Sequence, residues 1–120
     1  MTSFPTPRRG QIWNVDWSLS RASEQGGVRP ALVIQNDRGN TSDRFPNTIV
    51  VAISTKGREI PFHVRLEPDE QNGLSETSWV KCEQVLTISK NRLLGVSRGS
   101  ISPAQLEEVA RALKLSLELR

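Results

Sequence analysis

Few side chains in this chain could carry out chemistry. Its 120 residues include one histidine, one cysteine and no tyrosine. A zinc site needs three or four close Cys, His or carboxylate ligands. A ribonuclease site with two catalytic histidines cannot be formed by a chain that has one histidine. The acidic pairs Asp69-Glu70 and Glu107-Glu108 fall in an expected turn and an expected helix, so we interpret them as solvated surface. We therefore expect neither a metal nor a cofactor.

Metal-free RNA cleavage remains open, because the substrate supplies the nucleophile. A ribose 2′-OH can attack the adjacent phosphate if a protein aligns the two groups and neutralises the developing charge. Such a site requires a cation near the phosphate and a polar hydrogen-bond partner, and Arg29 and Ser54 are candidates. By composition alone, Arg29 could equally be a surface residue paired with Glu24.

Length and composition limit the classes of protein to which this chain can belong. The length suits a single domain over residues 1–120, with residues 1–8 as a flexible N-terminal segment. The net charge is only +3, but twelve of the sixteen basic residues are arginines, which weakly favours a polyanionic partner. The single cysteine, Cys82, is expected to be a small core residue and fits a reducing compartment. With no signal peptide and no apolar run of about 20 residues, we expect a soluble cytoplasmic protein without a membrane segment.

Short runs with strand character dominate the chain. Trp13, Val15 and Trp17 alternate with polar residues and Ile12, which predicts a half-buried first strand. Segments 18–27 and 38–47 are expected to be loops, and the third strand is expected at the centre of the sheet. The predicted strands cover residues 10–17, 30–35, 48–54, 62–66 and 77–82.

Only the C-terminal segment has a helical pattern. Ser102 can cap a helix and Pro103 suits its first position. The apolar stripe is interpreted as core packing or part of a subunit contact, and comprises Leu106, Val109, Ala110, Leu113 and Leu117. Leu115 and Leu119 widen it, which favours a partner surface. Strands without βαβ alternation and one terminal helix predict a mainly β (α+β) fold, a small barrel of strongly bent antiparallel strands.

Five segments in order resemble the MazF/PemK family of endoribonuclease toxins. They are RGQIW at 9–13, GGVRPALVIQND at 26–37, IVVAIST at 49–55, IPFHV at 60–64 and VKCEQVLTI at 80–88. The resemblance covers roughly the first 90 residues. It implies an SH3-like barrel that forms a homodimer, cuts single-stranded mRNA at a short sequence without a metal, and leaves 2′,3′-cyclic phosphate and 5′-hydroxyl ends. It also implies a cognate MazE-like antitoxin whose acidic segment covers the RNA groove.

The resemblance places the active site at Arg29 and Ser54. The family has threonine where this chain has Ser54, and serine lacks the methyl group that restricts χ1. Thr55 is the alternate if the strand end shifts by one residue. Arg29 is expected to clamp phosphate rather than to act as a general base, because a guanidinium does not give up its proton in proteins.

Other matched positions are candidates for RNA binding. Amides and carboxylates can recognise unpaired bases, an apolar side chain can pack on one, and lysine can meet phosphate. These candidates are Glu24, Gln35, Asn36, Lys56, Ile60, His63 and Gln84. Gln35 and Asn36 could instead be strand-end or turn residues, and His63 could be a solvent-facing strand residue. Trp13, Trp17 and Trp79 are expected in the core rather than as base-stacking platforms.

Two alternatives stay open at this stage. A non-enzymatic toxin on the same barrel could act by binding a protein, as gyrase inhibitors of this architecture do. A degenerate member could bind RNA and cut it weakly because of the serine at position 54.

Overall fold

The computed structural model describes residues 4–18 and 27–120. Six strands and two helices make up this part of the chain, with a single 3₁₀ turn at Lys90–Arg92 before the last strand. In chain order they are β1 Gln11–Asp16, β2 Val28–Val33, α1 Asp37–Asn40, β3 Asn47–Ser54, β4 His63–Leu66, β5 Ser78–Ser89, β6 Leu93–Ser100 and α2 Pro103–Leu117.

All strand pairs are antiparallel, and the sheet runs β4-β5-β3-β2-β1-β6. The sheet is open and curled, and α2 packs mainly against β5 and β4. The expected mainly β architecture of bent antiparallel strands with a C-terminal helix is therefore confirmed. The third strand lies in the interior of the sheet, as predicted from its almost fully apolar sequence.

Side chains on the two faces of the sheet enter different clusters. Trp13, Val15 and Trp17 form one cluster with Ala31 and residues from neighbouring strands. Ile12 points the other way, into a cluster with residues of β2, β3 and α2. Ile12 is fully buried. The prediction of a half-buried first strand is therefore wrong at this position, because the curled sheet and α2 cover the second face as well.

Apart from β5, which continues beyond its predicted end at Cys82 to Ser89, two elements depart from the sequence prediction. The segment 38–47, expected to be a loop, begins with the last residues of α1, because the Asn36 side chain caps that helix by accepting a hydrogen bond from the Gly39 N–H at 2.9 Å. The second departure is β6, which was not predicted. Its apolar signal is weak, and its pairing with β1 shifts register between Ile12 and Asn14.

Helix α2 begins where its local signals indicate. Ser102 accepts from the Gln105 N–H, and the Gln105 side chain accepts from the Ser102 N–H, which completes a capping box ahead of Pro103. The apolar stripe was predicted less well. Val109 and the unpredicted Ala112 are buried, whereas Leu117 is 50% exposed and lies outside the core.

Of the segment expected to be flexible, residues 4–8 are described; Pro7 is buried and the Phe4 ring lies 4.9 Å from Lys90 Nζ. No helix among the described residues is long and apolar enough to cross a membrane.

Candidate active site at the end of β3

Arg29 and Ser54 come from neighbouring strands of the sheet. β2 and β3 pair with Ala31 opposite Ala52. Continuing this register by two residues places Arg29 opposite Ser54, and residues directly opposite in an antiparallel pair share a face. Arg29 is exposed and Ser54 is half-buried. The register thus puts a guanidinium and a hydroxyl on the same face, near the ends of two neighbouring interior strands.

Ser54 is held at the point where β3 ends. Its hydroxyl oxygen accepts a hydrogen bond from the Lys56 N–H at 3.1 Å, and its backbone pairs opposite Trp79 of β5. The hydroxyl proton is left to donate to a ligand. Thr55, the alternate candidate, lies beyond the strand end and is exposed, as is Lys56.

A large irregularity in β5 lies beside this strand end. Val51 pairs with Val85 and Ile53 pairs with Val80, so the four residues 81–84 stand against Ala52 alone. Such a bulge redirects side chains next to a site. Glu83 and Gln84 are exposed there, whereas Cys82 is buried as expected. Burial raises the pKa of the Cys82 thiol to about 11, so it is not a nucleophile at neutral pH.

His63 does not face solvent. Its side chain is 6% exposed, and its Nε2 lies 3.0 and 3.1 Å from the two carboxylate oxygens of Glu83. Its Nδ1 accepts a hydrogen bond from the Arg58 N–H at 3.1 Å. The solvent-facing interpretation is therefore wrong, because β4 sits beside the bulge of β5. Partial burial would by itself raise the pKa of Glu83, but hydrogen bonds, including that from His63, hold it below its usual value.

Trp79 belongs to the site rather than to the core. Trp13 and Trp17 are buried as predicted, but Trp79 is half-buried on the same face as Ser54. Its ring centroid lies 6.0 Å from the Arg65 guanidinium carbon and 6.5 Å from the His63 ring centroid. The prediction that Trp79 is a core residue is wrong, because the loop at Gly57, rather than another layer of the core, covers its indole.

The loop 55–62 joins β3 to β4 over this indole. The N–H of His63 donates to the Ile60 carbonyl, and the Ile60 N–H donates to the Arg58 carbonyl. Lys56 and Arg58 are exposed, and Ile60 is 38% exposed. Three candidate RNA contacts, Lys56, Ile60 and Gln84, thus lie in two segments that flank the end of β3.

Two other candidates lie elsewhere. Gln35 and Asn36 follow the opposite end of β2, beyond the roughly 13 Å of strand between Arg29 and Val33. The Gln35 amide donates to Asn40 Oδ1 at 3.0 Å, and Asn36 caps α1. Their side chains therefore have structural roles within the chain. Glu24 lies outside the described residues.

Sequence reasoning missed Gly57 and Glu83. The alternation of residues 80–88 breaks at Glu83-Gln84, which is a signal for the bulge, but it does not indicate that Glu83 contacts His63. Among residues 4–18 and 27–120, no group of three or more His, Cys, Asp or Glu side chains is placed to hold a metal ion.

Comparisons with known proteins identify the family of this chain. The model of a family described as PemK-like, MazF-like toxin of type II toxin-antitoxin system matches residues 8–117. A relative named Endoribonuclease MazF from Staphylococcus saprophyticus is 39% identical over 116 residues, which span 93% of this chain and 92% of the relative. A relative with the same name from Staphylococcus epidermidis is 39% identical over 115 residues, with the same shares covered.

Solved structures are similar over nearly the whole chain. One is described as an endoribonuclease in complex with its cognate antitoxin from Mycobacterial species; it has a TM-score of 0.77 and 28% identity, covering 95% of this chain and 97% of the other. A second, described as an endoribonuclease from Mycobacterial species, has a TM-score of 0.77 and 25% identity, covering 98% and 97%.

Proposed function

The chain belongs to the PemK-like, MazF-like family of toxins from type II toxin–antitoxin systems, and on that premise we propose that it is an endoribonuclease that cuts single-stranded mRNA without a metal ion. The observation that supports the proposal is the register of β2 and β3, which, continued by two residues, brings Arg29 opposite Ser54. The relatives named Endoribonuclease MazF support the reaction class.

The proposed reaction uses the substrate's own 2′-OH. Its oxygen attacks the adjacent phosphorus and loses its proton, the P–O5′ bond breaks, and O5′ takes up a proton, which leaves 2′,3′-cyclic phosphate and 5′-hydroxyl ends. The Arg29 guanidinium faces the phosphate and stabilises the negative charge that develops on its oxygens. The Ser54 hydroxyl, oriented by the Lys56 N–H, donates a hydrogen bond to a phosphate oxygen and keeps its proton.

Substrate recognition is proposed for the segments beside Ser54. Lys56 can meet a backbone phosphate, Ile60 can pack on an unstacked base, and Gln84 can hydrogen-bond to a base edge. Gln35 and Asn36 stay in the proposal only as more distant contacts, because their amides also hold α1 in place. Glu24 is proposed on the resemblance alone.

The partners follow from the family. We infer a homodimer and a cognate MazE-like antitoxin, since a similar structure is described as a complex with its cognate antitoxin. Exposed Arg29, Lys56 and Arg58 make an acidic antitoxin segment over the site electrostatically favourable.

The decisive experiment is RNA cleavage with defined ends. Purified protein is incubated with a long single-stranded RNA in EDTA, and new 5′ ends are mapped beside Arg29→Ala and Ser54→Ala. The matched controls are Arg111→Ala and Ser75→Ala, two exposed positions outside the site. We expect cuts at one short motif that carry 5′-hydroxyl ends, persist in both controls, and are lost in both site variants.

Other outcomes discriminate the alternatives. Cleavage that requires added divalent cation, or that survives Arg29→Ala, contradicts the mechanism. An uncut RNA together with inhibition of DNA gyrase would favour a toxin that acts by protein binding.

A further inference from the structure

We propose that His63 is a positioning residue: its neutral imidazole, protonated at Nε2, latches the loop 55–62 to the bulge of β5 and thereby sets RNA affinity and base preference. The inference rests on the endoribonuclease function proposed above. It assigns His63 a role different from direct RNA contact, since its side chain is only 6% exposed and both ring nitrogens have partners within the chain.

The hydrogen bonds select one tautomer. The backbone N–H of Arg58 can only donate, so Nδ1 must offer a lone pair. The ionised carboxylate of Glu83 can only accept, so Nε2 must carry the hydrogen. A single neutral form satisfies both contacts, and it ties the turn before β4 to β5.

The two segments joined by His63 flank the catalytic pair. The loop on one side presents Lys56, Arg58 and Ile60. The bulge on the other side presents Gln84, next to the Glu83 that His63 contacts. The backbone hydrogen bond from the Cys82 N–H to the Phe62 carbonyl at 2.8 Å holds the end of the loop, and the packing of Gly57 on Trp79 holds its start. The bond from the Ile60 N–H to the Arg58 carbonyl stays within the loop, whereas the bond from the Arg58 N–H to Nδ1 joins the turn to β4. Loss of the Nδ1 acceptor therefore loosens the turn at Arg58 while the sheet remains intact.

Protonation of His63 breaks the same contact. An imidazolium carries hydrogens on both nitrogens, so Nδ1–H would face the Arg58 N–H, while the bond to Glu83 would strengthen. The other charged groups around the ring are Lys81, which pairs opposite His63 in β5, and Arg65, which packs near Trp79. An imidazolium at this position would thus loosen the loop without releasing the ring from Glu83.

Two substitutions separate the two nitrogens. His63→Asn keeps an oxygen acceptor near the position of Nδ1, whereas His63→Gln keeps a donor near the position of Nε2 and loses that acceptor. Glu83→Gln retains an acceptor oxygen for Nε2–H and serves as the matched control. Kinetics on a short RNA that carries one preferred site, and mapped ends on a long RNA, are measured for each variant.

We expect His63→Gln to raise KM by about 3- to 10-fold, the effect expected from the loss of one hydrogen bond. Its kcat should stay within about 2-fold of the wild-type value, and it should cut a broader set of sequences. Glu83→Gln, which keeps both ring contacts, should stay near wild type, and His63→Asn, which keeps only the contact to Arg58, should lie between wild type and His63→Gln. Equal KM values for His63→Gln and His63→Asn would overturn the latch. A loss of kcat at unchanged KM would also overturn it, because His63 would then act on the reacting atoms.

The latch can be tested even if the protein cuts no RNA. The imidazole ¹⁵N chemical shifts report the tautomer directly, and amide hydrogen exchange at Arg58 reports the loop. Nε2 protonation with exchange accelerated in His63→Gln, but not in His63→Asn, supports the latch independently of catalysis. A proton on Nδ1, or equal exchange in both variants, refutes it whatever the outcome of the cleavage assay.

Discussion

The Ser54 hydroxyl accepts a hydrogen bond from the backbone N–H of Lys56 at 3.1 Å. This contact orients the hydroxyl through the turn that follows β3. The threonine that the family resemblance implies at this position would be restricted by its methyl group. We infer that the hydrogen bond compensates for the missing methyl, so that serine can serve the proposed reaction.

The first prediction concerns Ser54→Thr and Ser54→Ala. Because the backbone already orients the hydroxyl, Ser54→Thr should change kcat/KM by less than about 3-fold. Ser54→Ala removes the donor to the phosphate and should lower kcat by about 10²- to 10³-fold. Initial rates on one RNA oligonucleotide measure both. A strong gain of activity in Ser54→Thr would show instead that the wild-type hydroxyl is poorly placed.

Local signals in the sequence predicted the fold better than the site. Ser102 and Pro103 mark the start of α2, and the signal is complete within a few neighbouring residues. The start of this helix can therefore be predicted from one sequence. The contact between His63 and Glu83 spans 20 residues and depends on the bulge in β5; the break in alternation at Glu83-Gln84 marks the bulge but not the partner of Glu83. The proximity of Arg29 and Ser54 follows from strand register, and before the structure only the family resemblance suggested it.

The second prediction concerns Lys90, which is fully buried. Its ammonium donates to the carbonyls of Gly39 at 2.9 Å and Ser42 at 3.2 Å, which joins the segment after α1 to the turn before β6. Burial lowers the pKa of Lys90, and the nearby Asp43 partly opposes that shift. Lys90→Met leaves both carbonyls without this donor and should destabilise the protein by about 1–3 kcal/mol.

Thermal or urea unfolding at matched protein concentration measures this cost. The control is Lys114→Met on the exposed side of α2, which should change stability by less than about 0.5 kcal/mol. If Lys90→Met is as stable as the control, the carbonyls are satisfied by other means and the lysine does not hold α1.

The third prediction concerns acid stability and Asp37. Its carboxylate accepts from the Arg9 N–H at 2.7 Å and from the Asn40 amide at 3.1 Å, and these hydrogen bonds, the first above all, lower its pKa. A carboxyl whose folded pKa lies below the unfolded value contributes stability above the unfolded pKa and loses it as pH falls through the folded pKa.

Unfolding free energies of Asp37→Asn and wild type, measured from pH 7 to pH 2, test this sign. The variant should be less stable near neutrality, and the difference should shrink below pH ~4 as the wild-type carboxyl becomes protonated. Glu108→Gln on the exposed face of α2 serves as the control. If the difference in unfolding free energy between Asp37→Asn and wild type stayed constant with pH, the destabilisation would come from side-chain packing rather than from charge.

The fourth prediction concerns the packing of Gly57 on Trp79. A Cβ added at Gly57 would lie 2.5 Å from Trp79 Cβ and from Cδ1, and nearer still to Cγ, so Gly57→Ala must displace the loop 55–62 from the indole. Because that loop presents Lys56 and Ile60 beside Ser54, the displacement should weaken RNA binding by about 10-fold, the loss in affinity expected when one contact is lost.

The double variant with Trp79→Ala tests this explanation. Trp79→Ala removes Cγ and Cδ1 but retains Cβ, so it relieves most of the overlap. In the Trp79→Ala protein, Gly57→Ala should therefore reduce RNA affinity clearly less than it does with Trp79 present. Such non-additivity is expected of residues in contact. Dissociation constants for an uncleavable RNA analogue, measured for both single variants and the double variant, test the coupling. An equal penalty in both backgrounds would mean that Gly57 serves the loop backbone itself, and that Trp79 does not position the loop.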